Sequence, residues 1–220
     1  MKEQDKDITN SLLSYAIASR DNYVAEKHHV AIASALEGVE RGDIKRLIVG
    51  LPSGTGVTEL VSKCFVEWYL GRNEDNNVIL NTYRSDLANA ICGDVKANMN
   101  TKFYSYTFPS FIAEDSYRGI INKVGRGWCR PTGTGEALLG LRADLVIMDT
   151  PSRVEIQKES MAQQYLREWY RLGICLRAEP DGAIVICETP SNHNFSSWVL
   201  NEYQHEDWTV ITIPTIEETI

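Results

Sequence analysis

The segment at residues 51–58 reads LPSGTGVT and has the residue types of a loop that binds phosphate. It lies between an apolar run at 45–52 and a segment of helical spacing at 58–71. Glycines allow backbone N–H groups to turn toward an anion, and the N-terminus of the following helix adds its positive dipole. Thr58 stands where such a loop holds Mg²⁺ through a hydroxyl. The candidate nucleotide-binding residues are Ser53, Gly54, Thr55, Gly56, Val57 and Thr58.

This loop departs from the usual phosphate-loop pattern, GxxxxGK[ST], at two positions. Leu51 occupies the first glycine position and Val57 the lysine position. Valine keeps the apolar stem but removes the cation that would contact the β- and γ-phosphates. A tight strand-to-helix turn without a ligand remains the alternative, and the loop by itself does not decide between the two.

A second candidate site residue ends the apolar run LVIMD at 145–149. A carboxylate at the end of a buried strand is suited to hold Mg²⁺ beside a nucleotide, and hydrolysis then needs a second acid to activate water. Asp149 supplies the first group, but Thr150 occupies the place of the second. A threonine hydroxyl cannot accept a proton from water at neutral pH. The alternative is a buried strand that merely ends in an aspartate.

Strand and helix patterns alternate along the chain, which predicts an α/β fold with a mainly parallel central sheet flanked by helices. We expect a helical lead over residues 1–25 and one domain over 26–220. A hairpin is expected around Gly125 and Arg126. The predicted strands are 45–52, 77–82, 144–149, 182–187 and 208–213, and the predicted helices are 7–20, 26–41, 58–71, 85–98, 160–172 and 194–203.

The charge of the 220-residue chain is unevenly placed. Its 22 Lys and Arg against 30 Asp and Glu give a net charge of −8, and no Lys or Arg follows Arg177. An acidic chain is a poor candidate for autonomous DNA binding, which needs clustered cations. The carboxylates after Arg177 favour a basic protein partner instead. The scattered cysteines and the absence of a long apolar run predict a soluble intracellular protein that makes no membrane contact.

Three further groups have a structural interpretation that is preferred over a functional one. The adjacent His28 and His29 are expected on the surface or capping a helix, since neighbouring helical side chains point about 100° apart. The aromatic residues of 103–108 are expected to pack at an edge or on a partner rather than to stack on bases. A mixed-charge face, rather than a basic stripe, is expected for Lys158, Arg167, Arg171 and Arg177.

Several short sequence segments, in their order along the chain, resemble the ATPase domain of phage terminase large subunits. The resemblance covers roughly residues 26–218. The segments are KHHVAIASALEGVERGDIKRLIV (27–49), ELVSK (59–63), WYLGRN (68–73), NVIL (77–80), DLA (86–88), GTG (133–135), ADLVIMDTP (143–151), EWYR (168–171), GAIVI (182–186), EDWTV (206–210) and IPT (213–215). The resemblance implies an ASCE-type P-loop NTPase fold and membership of a ring that drives DNA into a procapsid.

Carried over to this sequence, the resemblance makes 53–58 the phosphate loop and Asp149 the Mg²⁺ ligand, with ATP as nucleotide. Thr189 would be the coupling residue that senses the γ-phosphate, and Arg142, one position late, would be the arginine finger. The Walker A motif, which is the phosphate loop, is degenerate because Val57 stands at the lysine position. The Walker B motif, which is the strand ending in Asp149, is degenerate because Thr150 stands at the position of the catalytic acid. The family's nuclease domain has no counterpart in the sequence, so no DNA cleavage is expected.

These observations favour a terminase-like, catalytically impaired protein that binds packaging components in the cytoplasm of an infected bacterium. Its partners would be a terminase large or small subunit, the portal protein or further copies of itself, with DNA contacted only within such an assembly. Two alternatives remain open. One is an active packaging ATPase encoded apart from its nuclease, in which Lys63 or Arg84 replaces the missing lysine. The other is a decoy that mimics terminase and interferes with packaging or with host defence.

Overall fold

The computed structural model describes residues 3–50, 52, 54–116, 119–152, 161–189 and 194–212, with side chains from residue 7 onward. Its helices are α1 (Glu3–Asn10), α2 (Leu12–Ser19), α3 (Lys27–Arg41), α4 (Phe65–Arg72), α5 (Ser85–Met99), α6 (Lys102–Thr107), α7 (Met161–Trp169) and α8 (Phe195–Glu202). A π-helical segment, Thr58–Cys64, runs directly into α4, and α7 runs into a second one, Tyr170–Ile174.

The strands are β1 (Arg46–Gly50), β2 (Asn77–Thr82), β3 (Ala113–Ser116), β4 (Gly119–Asn122), β5 (Trp128–Gly133), β6 (Ala143–Asp149), β7 (Ala178–Glu188) and β8 (Thr209–Thr212). They form one eight-stranded sheet in the order β3-β4-β5-β2-β6-β7-β1-β8. The strands β2, β6, β7, β1 and β8 pair in parallel, and β5 joins them in parallel alongside β2. At one edge of the sheet β3, β4 and β5 pair antiparallel, which confirms the predicted hairpin.

Helices cover both faces of the sheet, as the near-continuous apolar strands require. Alternate side chains of β6 face opposite sides: Leu145 and Ile147 join one core cluster, whereas Val146 and Met148 join another. The first cluster contains apolar residues of α2 to α6, and the second contains those of α7 and α8. The predicted α/β architecture with a mainly parallel central sheet is therefore confirmed.

The N-terminal lead differs from the single helix predicted over 7–20. It consists of α1 and α2, which are separated at Ser11 (φ −122°, ψ 121°). The hydroxyl of Ser11 accepts a hydrogen bond from the N–H of Ser14 at 3.3 Å, so this residue caps α2 and interrupts the helix. Leu12 and Tyr15 are buried in the first core cluster, so α2 packs directly against the main domain.

The aromatic residues of 103–108 lie on the short helix α6 and on the residue that caps its end. The Tyr104 hydroxyl donates a hydrogen bond to the backbone carbonyl of Glu67 at 3.0 Å, and Tyr104 and Phe108 are buried. Tyr106 is exposed. Packing against α4 therefore accounts for this segment. Another difference is that β7 begins at Ala178 instead of residue 182, because Ala178 pairs with Ala143 across a register shift.

Candidate functional site

A cleft of about 290 Å³ opens at the carboxyl ends of β1, β6 and β7. Since these parallel strands are neighbours, the segments that follow them meet at one edge of the sheet. The cleft brings together nearly all of the site residues predicted from the sequence. Its lining consists of Val49, Pro52, Gly54, Thr55, Gly56, Val57, Thr58, Asp149, Thr150, Cys187, Glu188 and Thr189.

The loop between β1 and the π-helical segment has the backbone of an anion-binding turn. Gly54 (φ +84°) and Gly56 (φ +75°) are both left-handed, a conformation that glycine adopts without steric cost. The Thr55 hydroxyl donates to the carbonyl of Pro52 at 2.8 Å and so closes the turn. Successive N–H groups in such turns form a concavity that attracts anions. Ser53 and Leu51 lie outside the described residues.

Both histidines of α3 reach this loop, contrary to the expectation that they would diverge. Nε2 of His28 and Nε2 of His29 lie 3.0 Å and 2.9 Å from the carbonyl oxygen of Thr55. The expected capping role is also present, because Nδ1 of His29 accepts the backbone N–H of Glu26 at 3.0 Å. Burial lowers the pKa of His29, which favours the neutral ring that this bonding requires.

Asp149 is buried, and each of its two carboxylate oxygens accepts a hydrogen bond from a hydroxyl group. The Ser62 hydroxyl donates to Oδ2 at 2.7 Å, and the Thr150 hydroxyl donates to Oδ1 at 3.2 Å. Thr58, which lies one helical turn before Ser62 on the π-helical segment, lines the same cleft. Hydroxyl and carboxylate oxygens suit Mg²⁺, which commonly uses one or two carboxylates together with substrate phosphates, so Thr58 and Asp149 fit such an ion. No group of three or more acidic, histidine or cysteine side chains forms a metal cage within the described residues.

Thr150 has a strained backbone at the position of the missing acid. Its φ of +52° is unfavourable for a β-branched residue. Backbone hydrogen bonds hold it on both sides: its N–H donates to the carbonyl of Cys187 at 2.8 Å, and its carbonyl accepts the N–H of Tyr83 at 3.1 Å. Strained residues often lie at functional sites, where the surrounding structure maintains them.

Glu188 is a cleft residue that the sequence patterns did not indicate. Its buried carboxylate accepts hydrogen bonds from the hydroxyl of Ser152 at 2.8 Å and from both the N–H and the hydroxyl of Ser196 at 2.9 Å. It therefore connects the end of β7 to the start of α8 and to the segment after Thr150. Thr189, the predicted coupling residue, follows directly and also lines the cleft. Residues 190–193 lie outside the described residues.

Solved structures of phage terminases match this fold. The large terminase of bacteriophage HK97 aligns with 100% of this chain at a TM-score of 0.67 and 10% sequence identity. The ATPase domain of the Thermus phage P74-26 large terminase aligns with 79% of this chain and 68% of that domain, at a TM-score of 0.50 and 18% identity. The chain has the fold of phage large-terminase ATPase domains. An arginine-to-alanine variant of the Thermus phage domain aligns similarly, at a TM-score of 0.51 and 17% identity.

The terminase fold places β7 between β1 and β6, as expected for an ASCE-type P-loop NTPase. The chain spans 46% of the HK97 large terminase. No family model matches the sequence, and no curated protein matches it. The residues of the cleft therefore have to be interpreted from their own geometry.

The described lining of the terminase-like cleft contains two carboxylates and no lysine or arginine. Lys63, a candidate replacement for the missing lysine, instead binds Glu59 at 3.0 Å and Asp94 at 2.9 Å. Arg84, the other candidate, pairs with Asp86 and lines a neighbouring pocket instead. Neither side chain lines the cleft in this arrangement.

Arg142, the arginine-finger candidate, lies at the opposite edge of the sheet. It is exposed and directly precedes Ala143, the first residue of β6, whereas Asp149 is the last. At about 3.3 Å per residue, the strand separates the two ends by roughly 20 Å. Arg142 therefore cannot reach the cleft of its own chain.

Three of the described acidic residues after Arg177 form ion pairs within the molecule. Asp181 pairs with Lys45 and Glu206 with Arg46, both at 2.7 Å, and Glu202 pairs with Arg171. These bridges weaken the expectation of an acidic docking surface.

Two cations of the predicted mixed-charge face, Arg167 and Arg171, lie on α7 and on the π-helical segment that follows it. Arg167 and Arg171 lie over the ring of Trp198 at 5.4 Å and 5.3 Å from its centroid, and Arg171 also binds Glu202. Lys158 lies outside the described residues. Within the described part of the chain, no helix has the length and apolar character needed to cross a membrane.

Proposed function

We propose that this protein is a terminase-like ATPase-domain protein of phage DNA packaging whose cleft is catalytically impaired. It acts by binding packaging components, namely a terminase large or small subunit, the portal protein or further copies of itself. The site of action is the cytoplasm of the infected bacterium. The observation that carries this proposal is a cleft at the carboxyl ends of β1, β6 and β7 whose described lining contains Asp149 and Glu188 but no lysine or arginine.

The charge of the cleft argues against fast hydrolysis. Phosphoryl transfer depends on positioned charges that stabilise the three equatorial oxygens, and a single arginine finger contributes about 10³–10⁵ in rate. Val57 supplies no charge, and Thr150 supplies no base. Backbone N–H groups, the helix dipole and a Mg²⁺ ion held by Thr58 and Asp149 would remain to bind ATP. These groups support binding better than turnover.

The rival proposal, an active packaging ATPase, is favoured by one observation: Glu188 places a carboxylate in the cleft on the strand next to Asp149. In that reading Glu188 would replace the missing base. Its oxygens, however, accept bonds from Ser152, from Ser196 and from the N–H of Phe195. These donors hold the Glu188 carboxylate in a structural role at the start of α8, so the impaired proposal is preferred.

Measurement of Mg·ATP binding and steady-state hydrolysis separates the two readings. The unaltered protein should bind Mg·ATP and turn it over no faster than the Asp149→Ala variant. The double variant Val57→Lys/Thr150→Glu should gain hydrolysis, because it restores the cation and the base. The active ATPase would be established if the unaltered protein hydrolyses ATP and if each of the single variants Asp149→Ala and Glu188→Gln abolishes this hydrolysis.

A co-purification experiment from phage-infected cells tests the binding role. The tagged protein should retain portal or terminase subunits. An Arg142→Ala variant, altered far from the cleft, is a useful comparison because it leaves the nucleotide site intact. Failure to retain any packaging component, together with failure to bind Mg·ATP, would overturn the proposal.

A further inference from the structure

Two adjacent histidines at the start of α3 converge on one backbone oxygen of the phosphate loop. His28 and His29 both approach the carbonyl of Thr55 within 3.0 Å, and their ring centroids lie 4.0 Å apart. Both side chains are largely shielded from water: His29 is 6% exposed, and the His28 side chain is 11% exposed. Neither the capping of α3 nor the lining of the cleft requires this convergence.

The hydrogen-bonding partners determine which nitrogen of each ring carries the proton. Nδ1 of His29 accepts the N–H of Glu26, so the proton of the neutral ring is on Nε2. A carbonyl oxygen can only accept, so Nε2 of His28 also donates. The carbonyl has two lone pairs, and the two imidazoles therefore saturate it.

Fixing this carbonyl also fixes the next N–H group of the loop. In a trans peptide the C=O of Thr55 and the N–H of Gly56 point in opposite directions, and the described residues contain no cis peptide. With the carbonyl held against α3, the N–H of Gly56 points away from α3. A side chain at Gly56 is disfavoured, because its φ is +75° and a Cβ would lie 3.0 Å from Nε2 of His29.

We propose that His28 and His29 are positioning residues of the phosphate loop: their paired hydrogen bonds to Thr55 preset the Gly56 peptide for binding an anionic phosphate. The inference rests on the proposed function in that the anion is the phosphate of the nucleotide. The pair acts through the backbone and gives the loop a fixed orientation without a side-chain cation. Tyr23, whose ring lies 5.5 Å from that of His29, packs beside the pair on the segment before α3.

His28 is the better residue to vary because, unlike His29, it makes no capping hydrogen bond to the backbone of Glu26; its Nδ1 lies 3.6 Å from Oε2 of Glu26. A His28→Gln variant keeps a side-chain N–H donor near the Nε2 position, whereas His28→Leu keeps the bulk and removes the donor. In the unliganded protein, NMR should detect an altered carbonyl ¹³C shift of Thr55 and a lower amide order parameter of Gly56 in His28→Leu. His28→Gln should resemble the unaltered protein. The ring ¹⁵N shifts of His29 should show the Nε2–H tautomer.

Binding of Mg·ADP and of inorganic pyrophosphate with Mg²⁺ gives the second readout. The loss of one neutral hydrogen bond of about 1 kcal/mol corresponds to roughly fivefold weaker binding for His28→Leu, with near-complete rescue in His28→Gln. Unchanged Thr55 and Gly56 signals in His28→Leu would overturn the inference, even if nucleotide binds. If the unaltered protein binds neither probe, the proposed function fails, while the NMR comparison still decides whether the histidines orient the loop.

Discussion

The hydroxyl of Ser62 donates a 2.7 Å hydrogen bond to Oδ2 of Asp149, so the strand-end carboxylate is bound to the helix one turn beyond Thr58. Both residues are buried. The π-helical segment Thr58–Cys64 carries Ser62, and such irregular helical turns often occur at functional sites. The contact ties the end of β6 to the helix that follows the phosphate loop.

A Ser62→Ala variant should be less stable than the unaltered protein. The substitution leaves a buried carboxylate oxygen without its donor, which costs about 1–3 kcal/mol in free energy of unfolding. Urea denaturation monitored by tryptophan fluorescence measures the change. The matched control is Ser105→Ala on the exposed surface of α6, which should change stability far less. Equal effects of the two variants would show that the Ser62 contact contributes nothing specific.

A Thr150→Gly variant should gain stability. A left-handed backbone costs a non-glycine residue roughly 1–2 kcal/mol, and glycine relieves this strain. Glycine also loses more conformational entropy on folding, which costs about 0.5–1 kcal/mol and opposes the gain. The variant also removes the 3.2 Å hydrogen bond from the Thr150 hydroxyl to Oδ1 of Asp149, so the expected net gain in the free energy of unfolding is small, below about 1 kcal/mol. The same substitution in an extended strand, Thr209→Gly in β8, should lower stability, because glycine brings only its entropic cost there. A loss of stability in Thr150→Gly would mean that the contacts of the threonine side chain stabilise the protein by more than the strain of its backbone destabilises it.

The main elements of the fold were predictable because local signals agreed with the tertiary structure. The apolar runs of β1, β2 and β6 are bounded by turn residues, and their alternation with helical spacing indicates a parallel sheet. The break at Ser11 was missed because the apolar stripe of Ile8, Leu12 and Leu13 continues across it. A single serine cap is a weak signal against such a stripe.

The site was predictable only where its residues end strands. Asp149, Thr189 and the glycines of the loop follow β6, β7 and β1, and the parallel sheet brings them together. The meeting of His28 with Thr55 depends on how α3 packs, which no local pattern encodes. Arg142 was a candidate only through the resemblance, and it lies just before the amino end of β6, away from the cleft of its own chain.

An Arg20→Met variant should be strongly destabilised. Arg20 donates to both oxygens of the fully buried Glu67, at 2.8 Å and 3.2 Å, and thereby attaches the end of α2 to α4. Removing one partner of a buried ion pair costs about 3–5 kcal/mol. The double variant Arg20→Met/Glu67→Leu should regain part of this loss: no buried charge is left unpaired, but the buried Tyr15 hydroxyl loses its acceptor. Thermal and urea unfolding measure both effects.

The exposed pair of Lys45 and Asp181 is the control for this prediction. Solvent screens an exposed ion pair, so Asp181→Asn should leave the unfolding transition where it is. A comparably small effect of Arg20→Met would show that the N-terminal lead contributes little to the stability of the domain.

The stability of the protein should depend on pH through His29. Burial lowers the pKa of His29 below its ordinary value of 6.5 and the adjacent His28 lowers it further, whereas the hydrogen bond to the Thr55 carbonyl and the carboxylate of Glu26 raise it by less. The phenol of Tyr23 also faces the ring, and on the loop side the ring faces the backbone carbonyl of Thr55. A neutral ring is required because Nδ1 accepts the N–H of Glu26.

Between pH 6.5 and the lowered pKa of the folded state, the unfolded chain binds more protons at this histidine than the folded one does. The free energy of unfolding should therefore be fully maintained above pH 6.5 and should fall as the pH decreases through that window. Urea titrations at pH 8, 7, 6 and 5 should show a steeper decline for the unaltered protein than for His29→Gln, which cannot titrate there. His28→Gln serves as the comparison that keeps His29 in place. Parallel declines in the unaltered protein and His29→Gln would exclude this histidine as a source of acid sensitivity.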